Sequence, residues 1–491
     1  MYNAHLGVPV TRLVPLIVLL AACTPDATQA LTRPLVERRT VHVDGLTLRD
    51  TLDRAVMLRG VAVGGRSKLP PFFPFDVDEA VPFTDQADAF FGRVSALGAG
   101  VVRLALMWEP LEPTRGTYDD TYLDKYLAMM DAADAHGLGV IVEFHQDIFS
   151  RRICGDGFPL WAITDEIAAA GPAPCPGFPG WGLAYLDPTS AANRAMQRLW
   201  DNDDGLRDDM VAAWRHVATA VKDHPAVVAF EPINEPPSGT GTKEDFEQTV
   251  LPGFYDVMGG AIREVVGDEP ALLLDGRAGD ALGTVNERFA KPHLDGVVYA
   301  PHYYNAITVG LNSPSVNADA IRLDVPHALE LADTWGTPSM LDEFGVHNTN
   351  PSKAEYLGVV YDALDEQLAN GSMWDVSQTD GTLWNTEEFS ALYGDGSEHD
   401  WVSVIDRPVP RAIAGTVRSL VWDPVAESLD LELADMTDGV SEIYLPTRHL
   451  GATPAIVVDG ATDWTWDAED QLLLLRAEPG ADVTVRATRG T

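Results

Sequence analysis

Two acidic residues, each delivered by a short apolar run, are the part of this sequence best placed to do chemistry. In the stretch VVAFEPINEPP, residues 227–230 have the length and composition of a buried parallel strand. Glu231, Asn234 and Glu235 follow, and Pro236-Pro237 stop the strand from continuing. A second run, residues 339–341, delivers Asp342 and Glu343 in the same way, followed by Phe344-Gly345. Strand ends are where open α/β sheets and barrels keep their sites. Glycoside hydrolysis needs two carboxyl groups in such positions, one to protonate the leaving oxygen and one to attack. Either glutamate alone reads as a solvated strand end. The pair, with Asn234 directly before one of them, points to catalysis.

The elements that must position this pair follow a βαβ rhythm. Strand-like segments fall at 55–63, 101–107, 139–144, 227–230, 271–274, 296–300, 339–341 and 372–376. Helix-like segments lie between them, among them 121–136, 193–222, 243–266 and 353–370. Eight strands with intervening helices predict an α/β fold, a (β/α)8 TIM barrel. Polar and aromatic groups recur just after these strands: Lys68, Trp108, His145 with Gln146 and Asp147, Asn234 with Glu235, and Asp275 with Arg277. His302, Tyr303, Tyr304 and Glu343 continue the series, Trp374 and Asp375 lie within the eighth strand, and Arg103 lies within the second. Neighbouring strand residues face oppositely, so Tyr303 is expected to pack away from the site. A glycine- and proline-rich insertion at 150–189 holds Cys154, Cys175 and Trp181, and reads either as a wall of the cleft or as a surface decoration. The run LPPFFPF, residues 69–75, reads either as an apolar surface for a lipid or as aromatics tucked into the barrel top.

Beyond residue 413 the texture changes to short alternating runs at 416–422, 428–433, 440–445, 455–458, 471–477 and 481–487, parted by turns such as Asp438-Gly439 and Asp459-Gly460. This predicts a small C-terminal antiparallel β-sandwich. The expected organisation is a signal segment at 1–22, a spacer at 23–40, the catalytic barrel at 41–413 and the sandwich at 414–491. In the first segment Arg12 precedes an apolar run at 13–22, too short to span a bilayer. It ends Leu20-Ala21-Ala22-Cys23, which resembles a lipobox with Cys23 as the lipidated residue; an ordinary cleaved signal is the other reading. Either implies export. Cys154 and Cys175 then remain as a candidate disulfide.

The 491 residues carry 34 Lys+Arg against 74 Asp+Glu, a formal net charge of -40. A field of that sign repels phosphate backbones, so nucleic acid is excluded as the natural partner. The histidines show no HExxH or paired metal spacing, and neither a metal nor an organic cofactor is expected. Nothing in the sequence sets an oligomeric state, and a monomer is the default expectation.

These residues resemble a retaining glycoside hydrolase of family five. The resemblance is carried by Asn234-Glu235-Pro236, Glu343-Phe344-Gly345, His302-Tyr303-Tyr304 and Arg103 within VVRL. More narrowly, the chain is similar to the endoglycoceramidase group, through Lys68 ahead of Pro70-Pro71-Phe72, the segment WEPLEPTRGTYDDTYLD, His145-Gln146-Asp147, and the run from Asp156 to Trp161. The resemblance implies a glycosphingolipid substrate met at a membrane or micelle surface, with the bond between glycan and ceramide cleaved. It implies Glu343 as nucleophile, Glu235 as acid/base, and Asn234 on the sugar 2-hydroxyl. Lys68, His145, Asp147 and Trp374 would hold the other hydroxyls, while Arg103, His302 and Tyr304 would orient and tune Glu343. A family-five glucanase or mannanase acting on polysaccharide is the alternative, and a non-catalytic sugar-binding lipoprotein a more remote one.

Overall fold

Eight short segments, most of them largely apolar, form the frame of a computed structural model that describes Met1 and residues 31–282, 288–379 and 386–490. They are β1 (Arg59–Val63), β2 (Val101–Leu106), β3 (Gly139–Phe144), β4 (Val227–Glu231), β5 (Ala271–Leu274), β6 (Val297–Tyr299), β7 (Met340–Leu341) and β8 (Asn370–Met373). Nearly every residue in them is buried, which is why they read as continuous apolar runs instead of alternating ones. All pair in parallel, in the order β7-β8-β1-β2-β3-β4-β5-β6. The ring closes through a parallel bridge between Tyr299 and Ser339. Just beyond it, His302–Tyr303 pairs with Glu343–Phe344 in parallel, with His302 opposite Glu343. Closing the barrel therefore sets a histidine beside one of the two key glutamates.

The opposite end of the barrel is plugged from the N-terminal side. The amide of Val41 donates to Val228 and that of Ala271 donates to the Val41 carbonyl, at 3.1 and 2.9 Å. Val41 and Leu48 are buried in one apolar cluster with Val101, Ile141, Val228 and Leu273. This leaves the mouth at the C-terminal strand ends as the accessible end.

The second layer is built of antiparallel sheets, one of seven strands and one of four. The four-stranded sheet orders Thr416–Asp423, Ser428–Ala434, Val483–Thr488 and Ala455–Asp459. The seven-stranded sheet takes in His42–Asp44, Thr47–Arg49, Ala55–Val56 and Val409–Ile413, all from the range expected to be barrel. Residues 55–63 are thus two strands and not one: Ala55–Val56 pairs with the sandwich, and Arg59–Val63 with the barrel. The expected helix at 193–222 is also two, Ala191–Trp200 and Leu206–Val221. Asn202, Asp204 and Gly205 between them have positive φ, which no α-helix accommodates.

Residues 69–75 settle on the second of their two readings. Phe73 and Phe75 are 3 % and 2 % exposed and pack against Phe83, Tyr122 and Phe90, so they form core and not a lipid surface. Phe75→Ala is expected to cost about 3–5 kcal/mol of stability, read from denaturant unfolding. A loss below about 1 kcal/mol would place this ring outside the core. Among the described residues no helix is long and apolar enough to cross a membrane. The apolar run at 13–22 and Cys23 lie outside the described residues.

Candidate active site

Arg103 on β2 is the charge around which the mouth is organised, and its guanidinium is fully buried. A buried guanidinium demands carboxylates on neighbouring strands. Glu231 at the end of β4 accepts from Nε and Nη2 at 2.6 Å each. Glu143 on β3 and Asp342 after β7 lie 3.3 Å away. Glu143 and Glu231 oppose each other in the β3–β4 register, so one strand pair presents both towards the arginine. Desolvation works against the cation, but Glu143, Glu231 and Glu343 together hold the Arg103 pKa well above its ordinary value. Burial and the neighbouring Glu231 push the Asp342 carboxyl well up, against the pull of Arg103.

The remaining donors of Arg103 go to the sequence-predicted pair's surroundings. Nη1 donates to Glu343 at 2.5 Å and Nη2 donates to the Asn234 side chain at 2.7 Å. The Tyr304 hydroxyl donates to the other Glu343 oxygen at 2.7 Å. Burial raises the pKa of the Glu343 carboxyl, but the charges of His302 and Arg103 outweigh it and hold Glu343 below the usual carboxylate range. Glu235 goes the other way. Desolvation raises its pKa, opposed by the His302 contact and reinforced by the nearby charge of Glu343. One oxygen of Glu235, one of Glu343 and a ring nitrogen of His302 all lie within 4.8 Å of one another. Two neighbouring carboxyls are thereby biased to opposite protonation states, the arrangement that separates acid from base.

The backbone holding Glu235 is pinned. Glu235 has φ 36°, a left-handed conformation unfavourable for a side chain with a Cβ. Its amide donates to Asp275 at 2.7 Å, and the Gln146 side chain donates to the carbonyls of Asn234 and Glu235 at 2.9 Å each. Asn234 returns a bond to the Gln146 carbonyl at 3.0 Å.

A second polar group lies along the cleft. Lys68 is buried and sits 2.6 Å from Asp147. His145 bridges Glu143 at 3.0 Å and Asp147 at 3.2 Å, and stacks on Trp374 with centroids 5.1 Å apart. Lys68, Asp147 and Trp374 line one cavity with Glu235 and Glu343. The groups His145–Asp147–Asp156 and Glu235–His302–Glu343 are close enough to hold a metal. Lys68 and Arg103 already bring cationic charge to both, at Asp147 and at Glu343.

The mouth thus brings together Lys68, Arg103, His145, Asp147, Asn234 and Glu235, and with them His302, Tyr304, Glu343 and Trp374. One detail differs from expectation: His302 is nearer to Glu235, at 2.9 Å, than to Glu343, at 3.4 Å. Closure of the ring between β6 and β7 puts it between the two. Tyr303 packs away as expected, buried with its hydroxyl on Asp324. The insertion at 150–189 forms a wall of the cleft. Cys154 and Cys175 are joined by a disulfide with Cα atoms 5.5 Å apart. Phe178 and Trp181 face the cavity from this wall, and the Tyr185 hydroxyl donates to Asp147 at 2.9 Å. Tyr185, Glu143 and Glu387 were missed by sequence reasoning. A buried strand arginine signals partners such as Glu143, but no spacing marks Tyr185 or Glu387.

Fold and site define a glycoside hydrolase. A model of cellulase (glycosyl hydrolase family 5) matches residues 73–380, and one of the glycoside hydrolase family 5 C-terminal domain matches residues 407–486. The chain belongs to glycosyl hydrolase family 5.

Among individual proteins it is similar to an endoglycoceramidase of Hydra vulgaris, 27 % identical over 66 % of this chain and 65 % of that protein. An endoglycoceramidase I of Rhodococcus hoagii is 32 % identical over 42 % of this chain and 39 % of that protein. The chain therefore spans less than two thirds of these curated relatives. Endo-glycoceramidase II from Rhodococcus sp., solved with ganglioside GM3, superposes with a TM-score of 0.76 at 25 % identity, covering 91 % of this chain and 99 % of that one. The same Rhodococcus protein has also been solved as a lactosyl-enzyme intermediate, with a TM-score of 0.74, 26 % identity, and coverage of 90 % and 99 %.

Proposed function

We propose that this chain hydrolyses the β-bond between the glycan and the ceramide of glycosphingolipids, with retention, through a covalent glycosyl-enzyme. The observation that carries the chemistry is the opposite bias of the two carboxyls within 4.8 Å. Glu343 attacks the anomeric carbon while Glu235 gives its proton to the departing glycosidic oxygen. Formation of the ester removes the Glu343 charge, and with it one reason for the raised Glu235 pKa. Glu235 then takes a proton from water, whose oxygen displaces Glu343 from the same carbon. Asn234, fixed by Arg103, is placed to meet the 2-hydroxyl, where a hydrogen bond strengthens in the transition state.

The mixed polar and apolar lining of the cleft favours a glycolipid over a polysaccharide. Lys68, His145 and Asp147 line it together with Leu183, Leu186, Leu282 and Val309. Leu183 and Leu186 are 66 % and 52 % exposed, and Ile307 and Leu311 nearby in sequence are 52 % and 71 % exposed. Such an apolar rim suits an alkyl aglycone entering from a membrane or micelle. Export with Cys23 lipidated would hold the enzyme near that surface, and action as a monomer belongs to the same proposal. The test compares ganglioside, galactosylceramide-type glycolipid, cellulose and mannan in detergent. Release of an intact glycan in its β-anomer together with ceramide is expected. Hydrolysis of cellulose or mannan without glycolipid turnover would replace this reading with the polysaccharidase one.

A further inference from the structure

The loop after β8 brings another carboxylate into the cleft. Glu387 lines the cavity beside Lys68, Asp147, Glu343 and Trp374, and its side chain is 8 % exposed. Its two oxygens are not equivalent. Oε1 accepts from Trp374 Nε1 at 2.9 Å and from Lys68 Nζ at 3.0 Å. Oε2 is buried and, among the described residues, meets no hydrogen-bond donor. A buried carboxylate oxygen without a donor is costly, and one that persists in a cleft marks a place where a ligand supplies the missing hydrogen.

The pinned side decides which oxygen faces the ligand. Lys68 is itself fixed on Asp147 at 2.6 Å, and Trp374 is stacked on His145. Both groups on Oε1 are donors, so they fix the orientation of the carboxylate and of its second oxygen. Asn234, in the Arg103 network beside Glu343, is the residue proposed above for the hydroxyl next to the anomeric carbon. Glu387 stands at the far end of the His145–Asp147–Lys68 chain that leads from this network, a position that suits a hydroxyl farther round the ring.

We infer that Glu387 Oε2 accepts a hydrogen bond from a ring hydroxyl, remote from the anomeric carbon, of the sugar whose bond is cleaved, and so selects that hydroxyl's configuration. The inference rests on the glycoside-hydrolase reading above. One fixed acceptor meets an axial or an equatorial hydroxyl, and not both equally well. Glucose and galactose differ only at the 4-hydroxyl, so Glu387 ranks the two where the hydroxyl it meets is that one.

The test is Glu387→Gln, an isosteric change. Lys68 and Trp374 both donate, so they draw the new carbonyl oxygen to the Oε1 place and leave the amide nitrogen at Oε2, turning an acceptor into a donor. Wild type and variant are compared on aryl β-glucoside, aryl β-galactoside, and the 3-, 4- and 6-deoxy forms of the preferred sugar. The variant is expected to lose roughly 10- to 100-fold in kcat/KM on the preferred sugar. On the one deoxy form that lacks the hydroxyl concerned, both enzymes run at nearly equal rates, and the glucose-to-galactose ratio shifts where that form is the 4-deoxy sugar. The same loss on every deoxy form, with that ratio unchanged, reduces Glu387 to a brace for Lys68 and Trp374 and overturns the inference alone. A wild type inert on every glycoside overturns the hydrolase reading as well.

Discussion

Glu343→Gly is expected to remove essentially all turnover, on the order of a 10^4-fold or larger loss in kcat on any glycoside, because no other group takes over a nucleophile's bond. The fold is expected to survive. Arg103 loses one carboxylate but keeps both bonds to Glu231 at 2.6 Å, so its charge stays compensated. Tyr304 loses its acceptor and faces the vacated space. That space suits a small anion, held by the Arg103 and Tyr304 donors that held the carboxylate. Added azide is therefore expected to restore turnover of an activated aryl β-glycoside and to give an α-glycosyl azide, since it attacks from the face that Glu343 occupied. Far-ultraviolet circular dichroism controls for folding, and proton NMR reads the anomer. A variant that keeps a tenth of wild-type activity, or an azide product of β configuration, would show that Glu343 is not the attacking group.

How much of this was legible before the structure depended on the range of the interaction. The barrel strands were readable because a parallel strand covered on both faces is largely apolar, as 227–230 and 271–274 are throughout. Glu235 and Glu343 were readable because they sit where such runs stop. The N-terminal hairpin, His42–Asp44 with Thr47–Arg49, is short and half-exposed, and its sheet partners include Val409–Ile413 at the far end of the chain. Nothing local marks that pairing. Glu387 and Tyr185 fail for a related reason: one is carried by a loop and the other by a single helical turn of the insertion, and each gains meaning only through Lys68 and Asp147. Phe73 and Phe75 show the converse, since their composition fitted a lipid surface as well as a core until neighbours from Phe83 to Tyr122 decided it. The break between the helices at 200–206 was written in Asn202, Asp204 and Gly205, which the apolar periodicity on either side obscured.

Glu235→Gln is expected to act according to the leaving group, and that dependence identifies its role more sharply than the loss itself. An aliphatic lipid alcohol leaves poorly without a proton, so glycolipid hydrolysis is expected to fall roughly 10^3-fold. An activated aryl glycoside needs no such help in its first step. Its kcat/KM is expected to fall about 10-fold or less, while kcat falls further because water lacks its base, so the glycosyl-enzyme accumulates and KM drops. The pH profile carries the sign. Glu343 must be ionised, and its pKa is depressed, with His302 and Arg103 overcoming the cost of burial. Wild-type kcat/KM therefore declines only as pH falls through that lowered value. Glu235 must be protonated, and its pKa is raised by burial and by the Glu343 charge against the His302 contact. The alkaline decline accordingly comes as pH rises through that raised value. Glu235→Gln deletes the titrating proton, so its aryl-glycoside profile is expected to keep the acidic limb and lose the alkaline one. Retention of both limbs would transfer the acid's role to another group in the mouth. His302 would be the first to test, since its ring lies 2.9 Å from Glu235 and 3.4 Å from Glu343.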